Sequence, residues 1–200
     1  MTSDSKSRGR AQIVNTILAF LIAILSVLTG YAAFKSAEID STSTDNYFLA
    51  QAYLNDANVL FLEKGQDIIY DHTAYDRYYI NDDSNPEIAA YYLDQLSEAA
   101  TASLERPDGP FDEAYYEAMY KDAYDILAQE EAAFEQAGHD SNRAVAYQLS
   151  VLIFGVGLAF AGWASLADGT NMLRVVFTVF SSLSLILALI QMSRIPGPLA

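Results

Sequence analysis

The sequence predicts an all-α protein: three transmembrane helices, with an acidic helical hairpin or small bundle inserted between spans 1 and 2. Three observations carry that prediction. Uncharged apolar runs occupy 13–34, 144–167 and 175–192, each near the ~20 residues a helix needs to cross a bilayer core. Of the 26 acidic residues, only Asp4 and Asp168 lie outside 35–143. Within that acidic stretch, apolar side chains recur at three- and four-residue steps, the period of one helix face.

The first run, Ile13 to Phe34, carries no charge; Asn15, Thr16 and Ser26 can bond to backbone or to a neighbouring helix. Its basic lead-in (Lys6, Arg8, Arg10) also fits a signal peptide or a pilin-type leader. The apolar run is longer than the 7–15 residues usual for a cleaved signal, and two further runs near the C-terminus speak against a pilin. The second run, Ala144 to Ala167, places Tyr147 and Trp163 as interfacial aromatics. The third, Val175 to Met192, follows the turn-forming Asp168-Gly169-Thr170-Asn171.

Basic residues set the expected orientation. Lys6, Arg8 and Arg10 precede span 1 and Arg174 lies between spans 2 and 3, against Lys35, Arg143 and Arg194 on the other side. The expectation is a multi-pass plasma-membrane protein. Residues 1–12 form a cytoplasmic N-terminus, 13–34 span 1 and 35–143 an acidic extracytoplasmic helical domain. Span 2 (144–167), a cytoplasmic turn (168–174), span 3 (175–192) and an extracytoplasmic tail (193–200) follow.

The acidic domain holds 24 carboxylates against six basic residues. Such density repels nucleic acid and anionic head groups, and an Asp-rich, Lys-poor surface suits high salt, as in a halophile. Tyr47, Ala50, Leu54, Ala57 and Phe61 mark one inward face, with Gly65 as a point where the helix could break. Asn85-Pro86 starts a second helix, Asn85 at the N-cap and Pro86 at N1, running to about Leu104. Arg106-Pro107-Asp108-Gly109-Pro110 is a turn. Tyr116, Tyr120, Ala123, Leu127, Phe134 and Ala137 then mark the face of a third helix that continues towards span 2. Ser41-Thr42-Ser43-Thr44 and Gly138-His139-Asp140 are the poor helix formers in this plan. The many tyrosines read mainly as core filler whose hydroxyl reaches water or a carboxylate, with a partner-binding face as the alternative.

Chemistry-bearing constellations are scarce. The chain has no cysteine, which removes disulfides, thiolate nucleophiles and Cys-based metal sites. Asp71-His72 and His139-Asp140 could be drawn as acid–base or metal clusters, but a single imidazole among scattered carboxylates is what a solvated acidic surface carries. Asn81-Asp82-Asp83-Ser84-Asn85-Pro86-Glu87 alternates oxygen ligands but lacks the Gly at position 6 and Glu at position 12 of a calcium loop. No catalytic, cofactor-binding or metal-ligating residue is predicted. The candidates for function are helix-packing residues in the second run: Gly155, Gly157, Ala159, Ala161 and Gly162. Gly155/Ala159 and Gly157/Ala161 are small-xxx-small pairs that permit close helix contact, within the chain or between chains. No apolar run holds an ionisable residue of the kind proton relays and carriers need.

Gly30-Tyr31-Ala32-Ala33 closing the first run, the Tyr/Ala/Asn-rich helix after it, and Ser141-Asn142 leading to Leu152-Ile153-Phe154-Gly155-Val156-Gly157-Leu158-Ala159-Phe160-Ala161-Gly162 and a tight hairpin resemble an uncharacterised prokaryotic family, bacterial and archaeal, of small three-span membrane proteins. The resemblance implies three spans, a long helical extracytoplasmic loop and no activity or site to carry over. The expected function is non-enzymatic: a membrane-anchored interaction module, accessory subunit or self-assembling scaffold, with the bilayer and a homo-oligomeric or membrane-protein partner. The rival expectation is an oligomeric pore or transport accessory whose acidic mouth gathers cations.

Overall fold

A computed structural model describes residues 3–107, 109–167 and 172–198, with side chains from Gln12 onward. All regular structure among them is helical: α1 (Ser3–Asn81), α2 (Pro86–Leu93), α3 (Glu98–Leu104), α4 (Glu113–Leu166) and α5 (Met172–Ser193). Three of these, α1, α4 and α5, contain windows long and apolar enough to cross a membrane. The turn at Asp168-Gly169-Thr170-Asn171, with Asp108 and the side chains of Lys6, Arg8 and Arg10, lies outside the described residues.

The helices α1 and α4 pass through every expected weak point. In the Ser/Thr stretch, Thr42 and Thr44 hydroxyls donate to the carbonyls of Glu38 (3.2 Å) and Asp40 (2.9 Å) one turn back. Ser43 donates to Ala137 O on α4 at 2.8 Å. Gly65 lies within α1, where the Tyr120 hydroxyl is 3.9 Å from the position of an added Cβ. A single helical glycine costs about 1 kcal/mol against alanine, which tertiary packing readily overrides.

The chain forms two compact units, Met1–Asn46 with Gln136–Ala200, and Tyr47–Glu135. In the first, the apolar unit, α1, α4 and α5 meet on Leu25, Ala32, Phe154 and Ala188. Ser36 donates to Ala144 O at 3.0 Å, a second hydroxyl tie from α1 to α4. Helix α5 begins before the apolar run, so Arg174 stands on its first turn; 6 % exposed, it donates to Asn15 Oδ1 of α1.

In the second, the acidic unit, Ile68 and Ala74 of α1, Leu96 between α2 and α3, Ala100 of α3, and Tyr115 and Met119 of α4 form the core. Ala50 and Ala57 are buried as the spacing predicts, whereas Leu54 is exposed. Aromatic edges join α1 to α4, with Tyr47–Phe134 and Phe61–Tyr124 centroids 5.4 Å apart. Two expectations are corrected here. The helix from Pro86 stops at Leu93, and Ser97 caps a separate α3, its hydroxyl accepting from Ala100 N at 3.1 Å. The inward face of α4 starts at Tyr115 and Met119, not at Tyr116, because the Tyr115 hydroxyl finds a buried carboxylate.

Arg106 and Asp112 are tied to each other between α3 and α4. Arg106 grips Asp112 through Nε (2.6 Å) and Nη2 (2.7 Å), and Asp112 Oδ1 caps α4 by accepting from Tyr115 N at 2.9 Å. The hydrogen bond from Arg106 holds the Asp112 carboxyl below its usual range, against the upward push of burial. Gly109 takes φ 87° and Phe111 φ 67°. The left-handed backbone of an aromatic residue is strained by roughly 1–2 kcal/mol; Phe111 is kept there by stacking on His72, centroids 3.8 Å apart, and by its edge contact with Tyr115.

Candidate functional site

The most concentrated polar chemistry is at Asp71, 3 % exposed in the core of the acidic unit. Its Oδ1 accepts from Ser97 N at 2.7 Å, and its Oδ2 from Ser97 Oγ at 2.6 Å and Tyr115 Oη at 2.8 Å. Three donors satisfy a buried carboxylate, and Ser97 passes the network on to the first turn of α3. Burial, then the bond to Asp71 and its charge, push the Tyr115 phenol well above its ordinary range. The arrangement ties α1, α3 and α4 together. All three donors are spent on the one Asp71 carboxylate, so the geometry is that of a clamp.

The neighbouring His72 does not join it. Its ring stacks on Phe111 and its Nε2 lies 3.2 Å from the Tyr116 hydroxyl. The other histidine, His139, belongs to the apolar unit, with Nδ1 3.8 Å from Asp140 Oδ1. Asp140 is 3 % exposed. Burial raises its carboxyl, but hydrogen bonds from Gln136 (2.9 Å) and Arg143 (2.8 Å), with the Arg143 charge, outweigh that and leave it below the usual range. Arg143 Nε also donates to Pro196 O at 3.0 Å, fastening the C-terminal tail. Residues 81–87 form the turn after α1 and the start of α2: Ser84 N and Asn85 N both donate to Asn81 O. Asn85 stands at the N-cap with no side-chain cap bond, and Pro86 is the first helical residue. Among the described residues no three His, Asp or Glu side chains converge as a metal-ligand set.

The helix-packing candidates divide into two faces. Gly157 and Ala161 face inward: Ala161 is fully buried, and a Cβ on Gly157 would sit 3.1 Å from Ser184 Cβ and 3.2 Å from Leu25 Cδ2. Gly157 therefore lets α4 approach α1 and α5 together. Gly155 and Ala159 are exposed, and a Cβ on Gly155 or Gly162 would meet nothing within 4 Å. Within-chain packing thus uses one small-residue pair and leaves the other on the outer surface. Ser150, Ser181 and Ser184 are buried.

A third feature lies on α1 within the acidic unit. Phe48, Ala52, Asn55, Val59, Leu62, Gln66, Ile69, Thr73, Arg77 and Ile80 follow one another in three- and four-residue steps, and every one is exposed. None is acidic, although the unit holds 20 carboxylates in 89 residues. The large apolar members Phe48, Val59, Leu62, Ile69 and Ile80 are 61–73 % exposed. These alternate with Ala52, Asn55, Gln66, Thr73 and Arg77, so the row is an apolar-rich strip free of carboxylates although the exposed Asp56, Glu63 and Asp76 adjoin its members in sequence.

The chain matches no protein-family model, no curated protein and no solved structure.

Sequence reasoning found the small-residue pairs and missed both the Asp71 clamp and the α1 face. The clamp had a signal in Ser97-Glu98, an N-cap residue followed by an acidic first turn. The face had one in the absence of acid at ten successive positions along one helical row.

Proposed function

We propose that this protein is a non-enzymatic, membrane-anchored helical interaction module that docks a second membrane-anchored chain along the exposed α1 face of its acidic unit. The observation that carries this reading is the carboxylate-free row from Phe48 to Ile80. That row is ~50 Å long at 1.5 Å per residue. A strip on the order of 10 Å wide then offers about 500 Å² per partner, at the lower end of specific interfaces. In this reading α1, α4 and α5 cross the plasma membrane, the basic N-terminus lies in the cytoplasm and the acidic unit lies outside. Exposed Gly155 and Ala159 support a partner span close to α4.

Two experiments test it. Single cysteines placed in the acidic unit of this cysteine-free chain should react with an impermeant maleimide on intact cells; labelling only after lysis inverts the topology. Purified in mild detergent, the wild type should run as a complex larger than a monomer, and Leu62→Glu with Ile69→Glu should reduce it to a folded monomer. A wild type that is monomeric in native membranes would overturn the module reading. The rival, an oligomeric pore with a cation-gathering acidic mouth, would need polar side chains on an outer helix face; on α5 Ser181 and Ser184 are buried and Ser182 is half-buried, which supports the module instead.

A further inference from the structure

Where α2 lies against α1, an open groove of ≈ 270 Å³ is lined by Tyr70, Thr73 and Arg77 of α1, Tyr91 and Tyr92 of α2, and Gln95 just after it. It is contained within the acidic unit, and no carboxylate lines it. Its size falls just under the ~300–1,000 Å³ of drug-sized sites, so it suits a ligand of one ring. The aromatic walls are open: Tyr70 is 70 % and Tyr91 61 % exposed.

The cation in this groove is unlike the others of the unit. Lys64 pairs with Asp67 at 3.2 Å, Arg106 with Asp112 at 2.6 Å and Lys121 with Asp125 at 3.0 Å. Among the described residues Arg77 has no carboxylate within ion-pair distance, in a unit with five acids for every base. Its guanidinium lies over the Tyr92 ring, 5.4 Å from the centroid, and one Nη donates to the Tyr92 hydroxyl at 3.2 Å. This fixes the guanidinium plane while leaving most of its five donors for a guest. Beside it stand a hydroxyl (Thr73) and an amide that both donates and accepts (Gln95).

We propose that this groove binds an acidic saccharide, a uronic acid unit whose carboxylate pairs with Arg77 and whose ring lies against Tyr70 and Tyr91. Three features select that class. A fork of guanidinium donors matches a carboxylate. Flat aromatic faces beside hydroxyl and amide groups match a ring bearing hydroxyls on its edge and C–H groups on its face. The surrounding net negative charge favours a guest with one charge over a phosphate with nearly two, because repulsion scales with the guest's charge. At high salt the Debye length shrinks to ~3 Å, so distant carboxylates are screened while direct contact with Arg77 persists.

The test uses the full-length protein in detergent or nanodiscs at 1 M salt, with sodium glucuronate, a glucuronate oligosaccharide, glucose and inorganic phosphate as probes. By calorimetry or ligand-observed NMR, glucuronate should bind with Kd on the order of 1 mM, and glucose at least tenfold more weakly. Tighter binding of the oligosaccharide identifies a polymer as the source, and equal binding per unit a free sugar acid; both support the class. Arg77→Gln should weaken glucuronate at least tenfold, while Lys121→Gln, which removes the same charge outside the groove, should leave it unchanged. Tyr91→Ala should weaken glucuronate and glucose alike. No binding of glucuronate, binding unchanged in Arg77→Gln, or phosphate binding equal to glucuronate would each overturn the assignment. Thr73 and Arg77 also belong to the exposed α1 row, so the readouts are made in the Leu62→Glu, Ile69→Glu background, where no docked chain covers the groove and a failure to bind is distinct from a failure of the module reading.

Discussion

Replacing Asp71 is the sharpest probe of how the acidic unit is built. Asp71→Ala removes the acceptor of three hydrogen bonds, at 2.7, 2.6 and 2.8 Å, and leaves Ser97 N and the Tyr115 hydroxyl inside the core without their partner. Hydrogen bonds to a charged group contribute roughly 1.5–3 kcal/mol each, and each orphaned buried donor costs about 1–3 kcal/mol. Because the three share one carboxylate the losses do not add, and a total of roughly 3–5 kcal/mol is expected. Asp71→Asn keeps the shape but turns one acceptor into a donor, so about half of that should be lost. The assay is amide hydrogen exchange on the full chain, read at 98–104 of α3 and 113–120 of α4. Both regions should lose protection, and a cycle combining Asp71→Asn with Tyr115→Phe should show less than additive loss. A change below ~0.5 kcal/mol in Asp71→Ala, the size of an ordinary surface substitution, would contradict the clamp.

Other outcomes follow from single contacts. Gly155→Ala should stabilise the apolar unit by about 0.5–1 kcal/mol through helix propensity, since its Cβ meets nothing. Gly157→Ala, crowded by Ser184 and Leu25, should instead cost about 1–3 kcal/mol of overpacking, partly offset by the same gain; unfolding in detergent measures both. Tyr115 ionises near pH 10 when unfolded and is held neutral in the fold. Its contribution is complete below that pH and is lost as pH rises towards the raised folded value, so Tyr115→Phe should flatten the alkaline loss of stability in a pH-dependent melt. Asp140 works in the opposite sense. Its lowered pKa gives stability present above about pH 4 and lost as pH falls through the folded value. Asp140→Asn should abolish that acid-side dependence, read as melting temperature between pH 6 and 3.

Much of the fold is legible in one dimension because charge exclusion is a one-dimensional signal. Eighteen to 24 residues without a charge in three places already give the apolar stretches of α1, α4 and α5. Pro107, Gly109 and Pro110 likewise announce their turn. The interruption after Leu93 was less legible, since Ala89-Ala90 and Ala99-Ala100 read as one run of helix formers while the break rests on Ser97 meeting an aspartate 26 residues away. Tyrosine shows the same limit. Of the tyrosines read as core filler, among the described residues Tyr115 alone is fully buried, Tyr75, Tyr120 and Tyr147 pack half-buried against the cores, and Tyr31, Tyr70, Tyr79, Tyr91, Tyr116 and Tyr124 are exposed. Composition cannot tell which phenol has a buried carboxylate to reach. The two small-residue pairs on α4 were visible as spacing, but which one faces Leu25 depends on the rotation of α4 against its neighbours. The α1 face was written in the sequence as a missing residue type, which a search for apolar periodicity passes over.

The most direct measurement is cysteine crosslinking in native membranes, again helped by the cysteine-free background. With a maleimide–benzophenone photocrosslinker, whose second end inserts into C–H bonds and needs no thiol on the partner, Leu62→Cys and Ile69→Cys on the exposed α1 face should each give a discrete adduct: twice the monomer mass for a second copy, another fixed mass for a different membrane protein. Asp125→Cys, exposed on α4 of the same unit, should give none. Adducts of equal yield at all three positions, or at none, would contradict a docking face on α1.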